Sequence, residues 1–387
     1  MRGMILTLLL ACTDPESPLP SPVLGEPVHV VPSGGLPAQV EVQPSANNLD
    51  VVRHDGSVFF AFRTAPDHFA SADTHLYVLR SDDETHWTLE LPIFQGTDLR
   101  EPRFLSRGDQ LFLYFAVLGD DPLAFEPQGT MVTVRDAEGH WSEPEWLFDD
   151  TFIPWRARVV NGEPQMIGYT GGEDIYNADG MPEIEVRWLR SDDGLSWDAV
   201  VPGQPVVETG GGSETDYVIL DDGAVVAVTR NEAGDEMGWG SKICRAEAES
   251  PGDWRCVADP RKYDSPLMFR ASGRVWLIGR RNLTDDGNYD LGMRDLSFEA
   301  QSIQYELAYW QEPKRCSLWE VDPEALSVSF VLDLPSRGDT CFPSALETGE
   351  DRLSVYNYTN DPEGPDVSWV EGQHGETWIL RQDLWFE

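Results

Sequence analysis

HLYVLRSDDETHWTLELP (residues 75–92) and EVRWLRSDDGLSWDAVVP (185–202) are two copies of one pattern. Each gives an apolar residue, Leu-Arg-Ser-Asp-Asp, three residues, a Trp and a turn to Pro. Around these copies the chain alternates short β-branched and aromatic runs with Gly, Asp, Asn and Pro clusters, and helical periodicity is almost absent. The runs VFFAFRT (58–64), QLFLYFAVL (110–118), AVVAVTR (224–230), RVWLIGR (274–280) and RLSVYNY (352–358) each follow a turn signal: HDG, RGD, DDG, ASG and GED. Many short antiparallel strands are the expectation, hence a sandwich, barrel or propeller.

Self-similarity decides among these. A unit made of a strand, a charged or Gly turn and a second strand recurs at about 47, 102, 155, 214, 265 and 342. Its spacing, roughly 45–75 residues, suits propeller repeats. Six units fill residues 45–387, and PVHVVPSGGLPAQVEVQ (27–43) is placed to complete the last blade and close the ring. The predicted fold is all-β, a single six-bladed β-propeller domain over 27–387 with four-stranded blades.

The net charge is −40, from 68 acidic and 28 basic residues. Such a surface repels nucleic acid and anionic lipid, so neither is an expected partner. Among the basic residues only 242, 262 and 314 are Lys. The rest are Arg, which suits planar, bidentate recognition.

The chain opens MRGMILTLLLAC, with Arg2 ahead of an apolar run too short to span a bilayer. Leu9-Leu10-Ala11-Cys12 resembles the lipobox of bacterial lipoproteins. That resemblance implies a signal peptide over 1–11, a lipid on Cys12 as the sole membrane contact, and a cell-envelope location. A plain secretory signal, giving a secreted protein, or a misplaced start codon also fits the stretch. Residues 12–26 are rich in Pro, Ser and acid and read as a tether. Cys244, Cys256, Cys316 and Cys341 remain, an even set that suggests two disulfides in an exported chain. Three pairings are open; Cys244–Cys256 flanks a hairpin turn, and Cys316–Cys341 would then tie neighbouring strands. No Cys/His cluster has zinc spacing, so neither a metal nor another cofactor is expected.

Asp192-Asp193-Gly194-Leu195-Ser196-Trp197 resembles the Asp box of sialidases and related propellers, whose core is Asp-x-Gly-x-x-Trp after a Ser or Thr. Ser191 sits one residue too close, and at 82–87 Glu84 replaces the Gly. The motif belongs to a blade's outer rim and argues for fold, not for catalysis. The resemblance extends over about 45–365 to bacterial sialidase-like propellers of uncertain activity. It rests on NNLDVV (47–52), FAFRTAPDH (60–68), LREPRF (99–104), PWRARV (154–159), ETDYVILDDGAVVAVTRNE (214–232), SPLMFRASGRVWLIGRR (265–281), LPSRGDTCFPSAL (334–346) and VYNYTND (355–361).

Sialidases grip a substrate carboxylate with three Arg and use a Tyr nucleophile helped by a Glu, with an Asp as acid/base. By that resemblance Glu214 corresponds to the helper Glu and Arg230 to one Arg of the triad. Two parts are missing. Residues 46–50 hold no Arg where the first one belongs, and Phe342 stands where the Tyr belongs. Tyr356 and Tyr358 are stand-ins or channel-lining rings. Arg63, Arg100, Glu101, Arg156, Arg280 and Asp339 sit beside predicted inner strands and complete the candidate set. The catalytic candidates are therefore Glu214, Glu101, Asp339 and Tyr358; the binding candidates are Arg63, Arg100, Arg156, Arg230, Arg280 and Tyr356. The expected function is acting on or binding glycans at the channel mouth, as a monomer and not by the standard sialidase route. A divergent glycoside hydrolase using Glu/Asp acid–base chemistry and a non-catalytic protein-interaction scaffold are the alternatives.

Overall fold

The five apolar runs become the second strands of five blades, because a strand there is covered on both faces by neighbouring blades. The computed structural model describes residues 21–172, 175 and 180–387; Cys12, the signal segment and the start of the tether lie outside the described residues. The innermost strands are Ser45–His54, Leu99–Arg107, Ile153–Val160, Gly212–Ile219, Asp264–Ala271 and Ser344–Gly349. These are the six recurring units of the sequence, and each opens an antiparallel sheet of four or five strands. The second strands are Ser57–Ala65, Gln110–Val117, Glu163–Thr170, Val225–Asn231, Arg274–Asn282 and Arg352–Thr359. The fold is a six-bladed β-propeller.

Alternation along a second strand divides its side chains between two cores. Phe60 and Phe62 join Phe342, Tyr356 and Ile379 of blade 6, while Phe59 and Ala61 join Leu99, Phe104 and Leu113 of blade 2. Burying each such aromatic contributes about 1.5–3 kcal/mol. Near the axis the inner strands are latched by buried carboxylates. Asp50 accepts the Phe104 amide (2.7 Å) and Asp216 accepts the Met268 amide (2.7 Å), so blade 1 holds blade 2 and blade 4 holds blade 5.

The N-terminal segment closes the ring. Val28–Val31 and Pro22–Leu24 both pair antiparallel with Trp378–Phe386 of blade 6. The stretch read as tether therefore gives Pro22–Leu24 to the sheet, where backbone groups find partners. Both disulfides form: Cys244–Cys256 joins facing residues of adjacent strands in blade 4, and Cys316–Cys341 ties blade 5 to the segment entering blade 6.

The repeated Ser-Asp-Asp turns cap blades 1 and 3, but the closing residue is Asp193, not Asp192 as the Asp-x-Gly spacing implied. Asp193 Oδ1 accepts the amides of Leu195 (2.8 Å) and Ser196 (2.6 Å), and Ser191 Oγ accepts those of Asp193 and Gly194. Asp83 likewise accepts the amides of Thr85 and His86, and Ser81 Oγ accepts that of Asp83. Glu84 takes the left-handed backbone (φ 56°) that Gly194 takes freely (φ 81°). Trp197 packs edge-on against Tyr114 of blade 2, so this indole wedges between blades.

Among the described residues, two helices depart from the all-strand expectation. Helix α1, Phe298–Gln311, leaves blade 5 between its second and third strands; α2, Trp369–Gln373, does the same in blade 6. Both start on serine caps, Ser297 and Ser368, and they contact each other over the channel mouth. No helix among the described residues is long and apolar enough to cross a membrane.

Candidate active site at the channel mouth

The inner strands of five blades break register shortly after they start: at Asn47/Leu49, Arg100/Arg103, Pro154/Arg156, Gly212/Thr215 and Asp264/Leu267. A β-bulge inserts a residue and re-aims its side chain. Asn48 (φ 37°), Glu101 (φ 50°) and Ser265 (φ 55°) occupy this station in left-handed conformation. Together with Glu214 at the blade 4 break, they line a cavity of about 1060 Å3. The second strands end at the same face and contribute Arg230, Arg280 and Tyr358. Residues 66–70 and 122–125 and the helices α1 and α2 wall the opening.

The stations bond to one another around the channel. Asn48 Nδ2 donates to Glu101 Oε1 (3.2 Å), and the Ser265 amide donates to Glu214 Oε2 (2.6 Å). Arg230 donates to Glu214 Oε1 (2.8 Å) and also pairs with Glu232 (2.7 Å) and Asp264 (3.2 Å). One guanidinium thus serves three carboxylates. Burial, with Glu232 and Asp264 crowding it against the pull of Arg230, raises the Glu214 carboxyl above the usual range. Glu101 Oε2 has no hydrogen-bond partner and lies 3.6 Å from Arg103. Burial raises Glu101 to about 7, opposed by Arg103 and reinforced by Glu214.

The other two cavity guanidinia are also held. Arg280 donates to the Thr340 and Cys341 carbonyls and to the hydroxyls of Tyr309 and Tyr358. Arg100 bonds Asp98 and the His68 carbonyl. Tyr358 donates to Asp339 (2.8 Å), and its phenol is held well above its ordinary range by burial and by Asp339. Its hydroxyl bonds Asp339 and Arg280 and makes no hydrogen bond to Glu214. Phe342, at the expected Tyr position, lies on the cavity wall edge-on to Trp155, with the Arg103 guanidinium 4.4 Å from its ring centre.

Four candidates sit away from the cavity surface. Arg63 is fully buried: it pairs with Asp98 and bonds the carbonyls of Asp67 and Phe69, so it fastens the 66–70 loop. Arg156 donates to the carbonyls of Pro266 and Pro343 beneath the floor. Tyr356 is fully buried in the seam between blades 1 and 6, with its hydroxyl on Glu84 (2.8 Å). Asp339 is buried behind His68 and Tyr358 and reaches the cavity through them. In each case the polar group is bonded within the protein.

The cavity also contains groups the sequence reading missed. His68 sits in the quoted FAFRTAPDH, but its partner Asp339 lies 271 residues away. Lys262 lies over the rings of Tyr289 and Tyr309 and donates to the Asn231 carbonyl. Tyr309 and Trp369 come from the two helices; only α2 carried a readable signal, the capping box Ser368-x-x-Glu371. Among the described residues no group of three or more His, Cys, Asp or Glu is arranged to hold a metal ion.

No family model matches the chain, and no curated protein matches it by sequence. Solved structures do match. A protein of unknown function from Dyadobacter fermentans is 16% identical at a TM-score of 0.63, covering 95% of this chain and all of that one. Trypanosoma rangeli sialidase is 14% identical at a TM-score of 0.59, covering 88% of this chain. Its complex with sialic acid is likewise 14% identical, at a TM-score of 0.58 over 94% of this chain. The matched region spans about half of the trypanosomal protein, 55% and 56% in these two structures. At these identities the likeness is one of fold.

Proposed function

From a chain with the sialidase-like propeller fold, we propose a divergent glycoside hydrolase that acts on neutral glycans at the channel mouth, with Glu101 as its general acid. One observation carries this reading: Glu101 lines an open cavity half-buried, hydrogen-bonded through one oxygen only with the other 3.6 Å from Arg103, and its carboxyl is raised to about 7. A carboxylic acid that stays protonated near neutrality can protonate a leaving glycosidic oxygen. Glu214 is raised as well, but its bonding differs. Arg230 and the Ser265 amide occupy both its oxygens, which suits holding the wall and not moving a proton.

The substrate class follows from the guanidinia. Arg100, Arg230 and Arg280 all border the cavity, and each already bonds acids, carbonyls or hydroxyls of the protein. A carboxylated sugar would have to displace those bonds and lie beside Glu101, Glu214 and Glu232. A neutral sugar meets rings and hydroxyl-bonding groups without that cost. The open cavity also speaks against a pure interaction scaffold, which a plugged mouth would have favoured.

The test is hydrolysis of 4-nitrophenyl glycosides of neutral sugars beside an aryl sialoside. The expected outcome is turnover of a neutral glycoside and none of the sialoside. Robust sialoside turnover, with a fluorinated sialic acid probe trapped on Tyr358, would overturn the reading.

Two disulfides among the described residues are consistent with an exported protein. In this reading a lipid on Cys12 holds the propeller, as a monomer, in the cell envelope. An alkyne fatty acid should label the wild type and leave Cys12→Ser unlabelled; equal labelling would remove the anchor.

A further inference from the structure

Where blade 6 meets blade 1 the wall carries a further buried acid, and its partner is an imidazole. Asp339 is fully buried and accepts two bonds, from His68 Nδ1 (2.6 Å) and from the Tyr358 hydroxyl (2.8 Å). Burial pushes its carboxyl up, but His68, Arg280 and Tyr358 outweigh burial and keep it ionised, below its ordinary range. An ionised acceptor at Nδ1 places the proton of a neutral imidazole on that nitrogen. The other ring nitrogen, Nε2, bonds none of the described residues, and the ring borders the cavity between Tyr358 and Trp369. Arg100 fixes the backbone at this point through the His68 carbonyl (2.6 Å).

We infer that His68 is the general base of this cavity, oriented by Asp339. The inference rests on the glycosidase reading above and names the group that the reading leaves open. A carboxylate that orients an imidazole through Nδ1–H and leaves Nε2 free is a recurring device for activating an oxygen nucleophile. The balance is simple. A water O–H bond breaks toward Nε2, and the water oxygen bonds the anomeric carbon. The glycosidic C–O bond breaks, and the leaving oxygen takes the Glu101 proton. Solvent then carries the proton from the imidazolium back to Glu101. The groups facing His68 are Asp339 and Tyr358 from blade 6 and Arg63 and Arg100 from blades 1 and 2. Burial lowers the His68 imidazole below its ordinary 6.5, so it is neutral and basic at the pH where Glu101 still carries its proton.

The experiment uses the whole chain and the 4-nitrophenyl glycoside that the wild type cleaves best. His68→Ala should lower kcat by about 10²- to 10⁴-fold, with added imidazole restoring part of the loss. The acid limb of the kcat/KM profile, below pH 6.5, should vanish. Should the variant misfold, carbethoxylation of wild-type His68 by diethyl pyrocarbonate, mapped by mass spectrometry, should abolish turnover, and hydroxylamine should restore it. Unchanged turnover in His68→Ala, or in the modified wild type, beside an inactive Glu101→Gln would overturn this assignment alone. A wild type that cleaves no glycoside of the panel would overturn the glycosidase reading with it.

Discussion

Glu101 and Glu214 mark the same backbone break in blades 2 and 4; burial raises both carboxyls, but their hydrogen-bond partners differ. The difference lies in which neighbour supplies donors. Beside Glu214 stand Arg230 and the Ser265 amide, so both oxygens are bonded. Beside Glu101 stands the Asn48 side-chain amide, so one oxygen is bonded and the other is not. A propeller repeats its backbone more faithfully than its side chains. One station can therefore hold a carboxyl group bonded through both oxygens in one blade and through one oxygen in another. What separates acid from anchor is the partner set, and partner sets can be exchanged by mutation.

The sharpest break is Glu101→Gln. It keeps the shape and the Asn48 contact but removes the transferable proton. Turnover of the neutral glycoside should fall by about 10²- to 10⁴-fold with KM little changed. The alkaline limb near pH 7 should disappear with it. A variant that keeps wild-type kcat would show that Glu101 is only a buried wall residue.

The same substitution tests the proton thermodynamically. Glu101 moves from 4.5 to about 7 on folding. Below pH 4.5 both states are protonated and nothing is lost. Between 4.5 and 7 the unfolded chain releases the proton while the folded chain retains it, so stability falls as pH rises. The loss reaches about 3 kcal/mol above pH 7. Denaturation of Glu101→Gln should lack that fall, leaving the variant more stable than the wild type at pH 8. Parallel curves for the two proteins would place Glu101 in an ordinary carboxylate environment.

Glu214→Gln should act mainly on the frame. Arg230 keeps Glu232 and Asp264, so the expected loss is at most about 1.5 kcal/mol, the low end for a hydrogen bond to a charged group, and it should shrink as pH rises because folding raises the Glu214 carboxyl too. Turnover should fall by about tenfold or less. A loss of activity equal to that of Glu101→Gln would make the two glutamates a working pair and end the contrast.

The ring of blades was legible because second strands are covered on both faces, so runs such as VFFAF and LFLYF are apolar almost without interruption. Cysteine counting found both disulfides because each pair is local or joins adjoining blades. The cavity was legible only in part. Glu101, Glu214, Arg100, Arg230, Arg280 and Tyr358 were singled out because they flank strand ends, and strand ends meet at the channel mouth. Flanking a strand end does not say which way a side chain turns, and so Arg63, Arg156 and Tyr356 were misread. The bulge that turns Asn48, Glu101 and Ser265 inward has no residue signature, since these three are not glycines. His68 and Asp339 meet only when blade 6 closes on blade 1. Helix α1 hid because Ile303, Leu307 and Trp310 lie exposed on its surface and blur the apolar face.

The gentlest change sharpens the contrast from the Asn48 side. Asn48 holds a left-handed backbone, which Asp tolerates nearly as well as Asn, so Asn48→Asp should fold. It replaces the donor beside Glu101 with a second carboxyl group at hydrogen-bond distance, 3.2 Å in the wild type. Two carboxylates in one buried site resist ionising together, and one proton is then shared between them. The alkaline limb of kcat/KM should move up from near pH 7 by about one unit or more, worth about 1.4 kcal/mol per unit. A limb that stays in place, or moves down, would mean that the titration at this cavity belongs to a group other than Glu101.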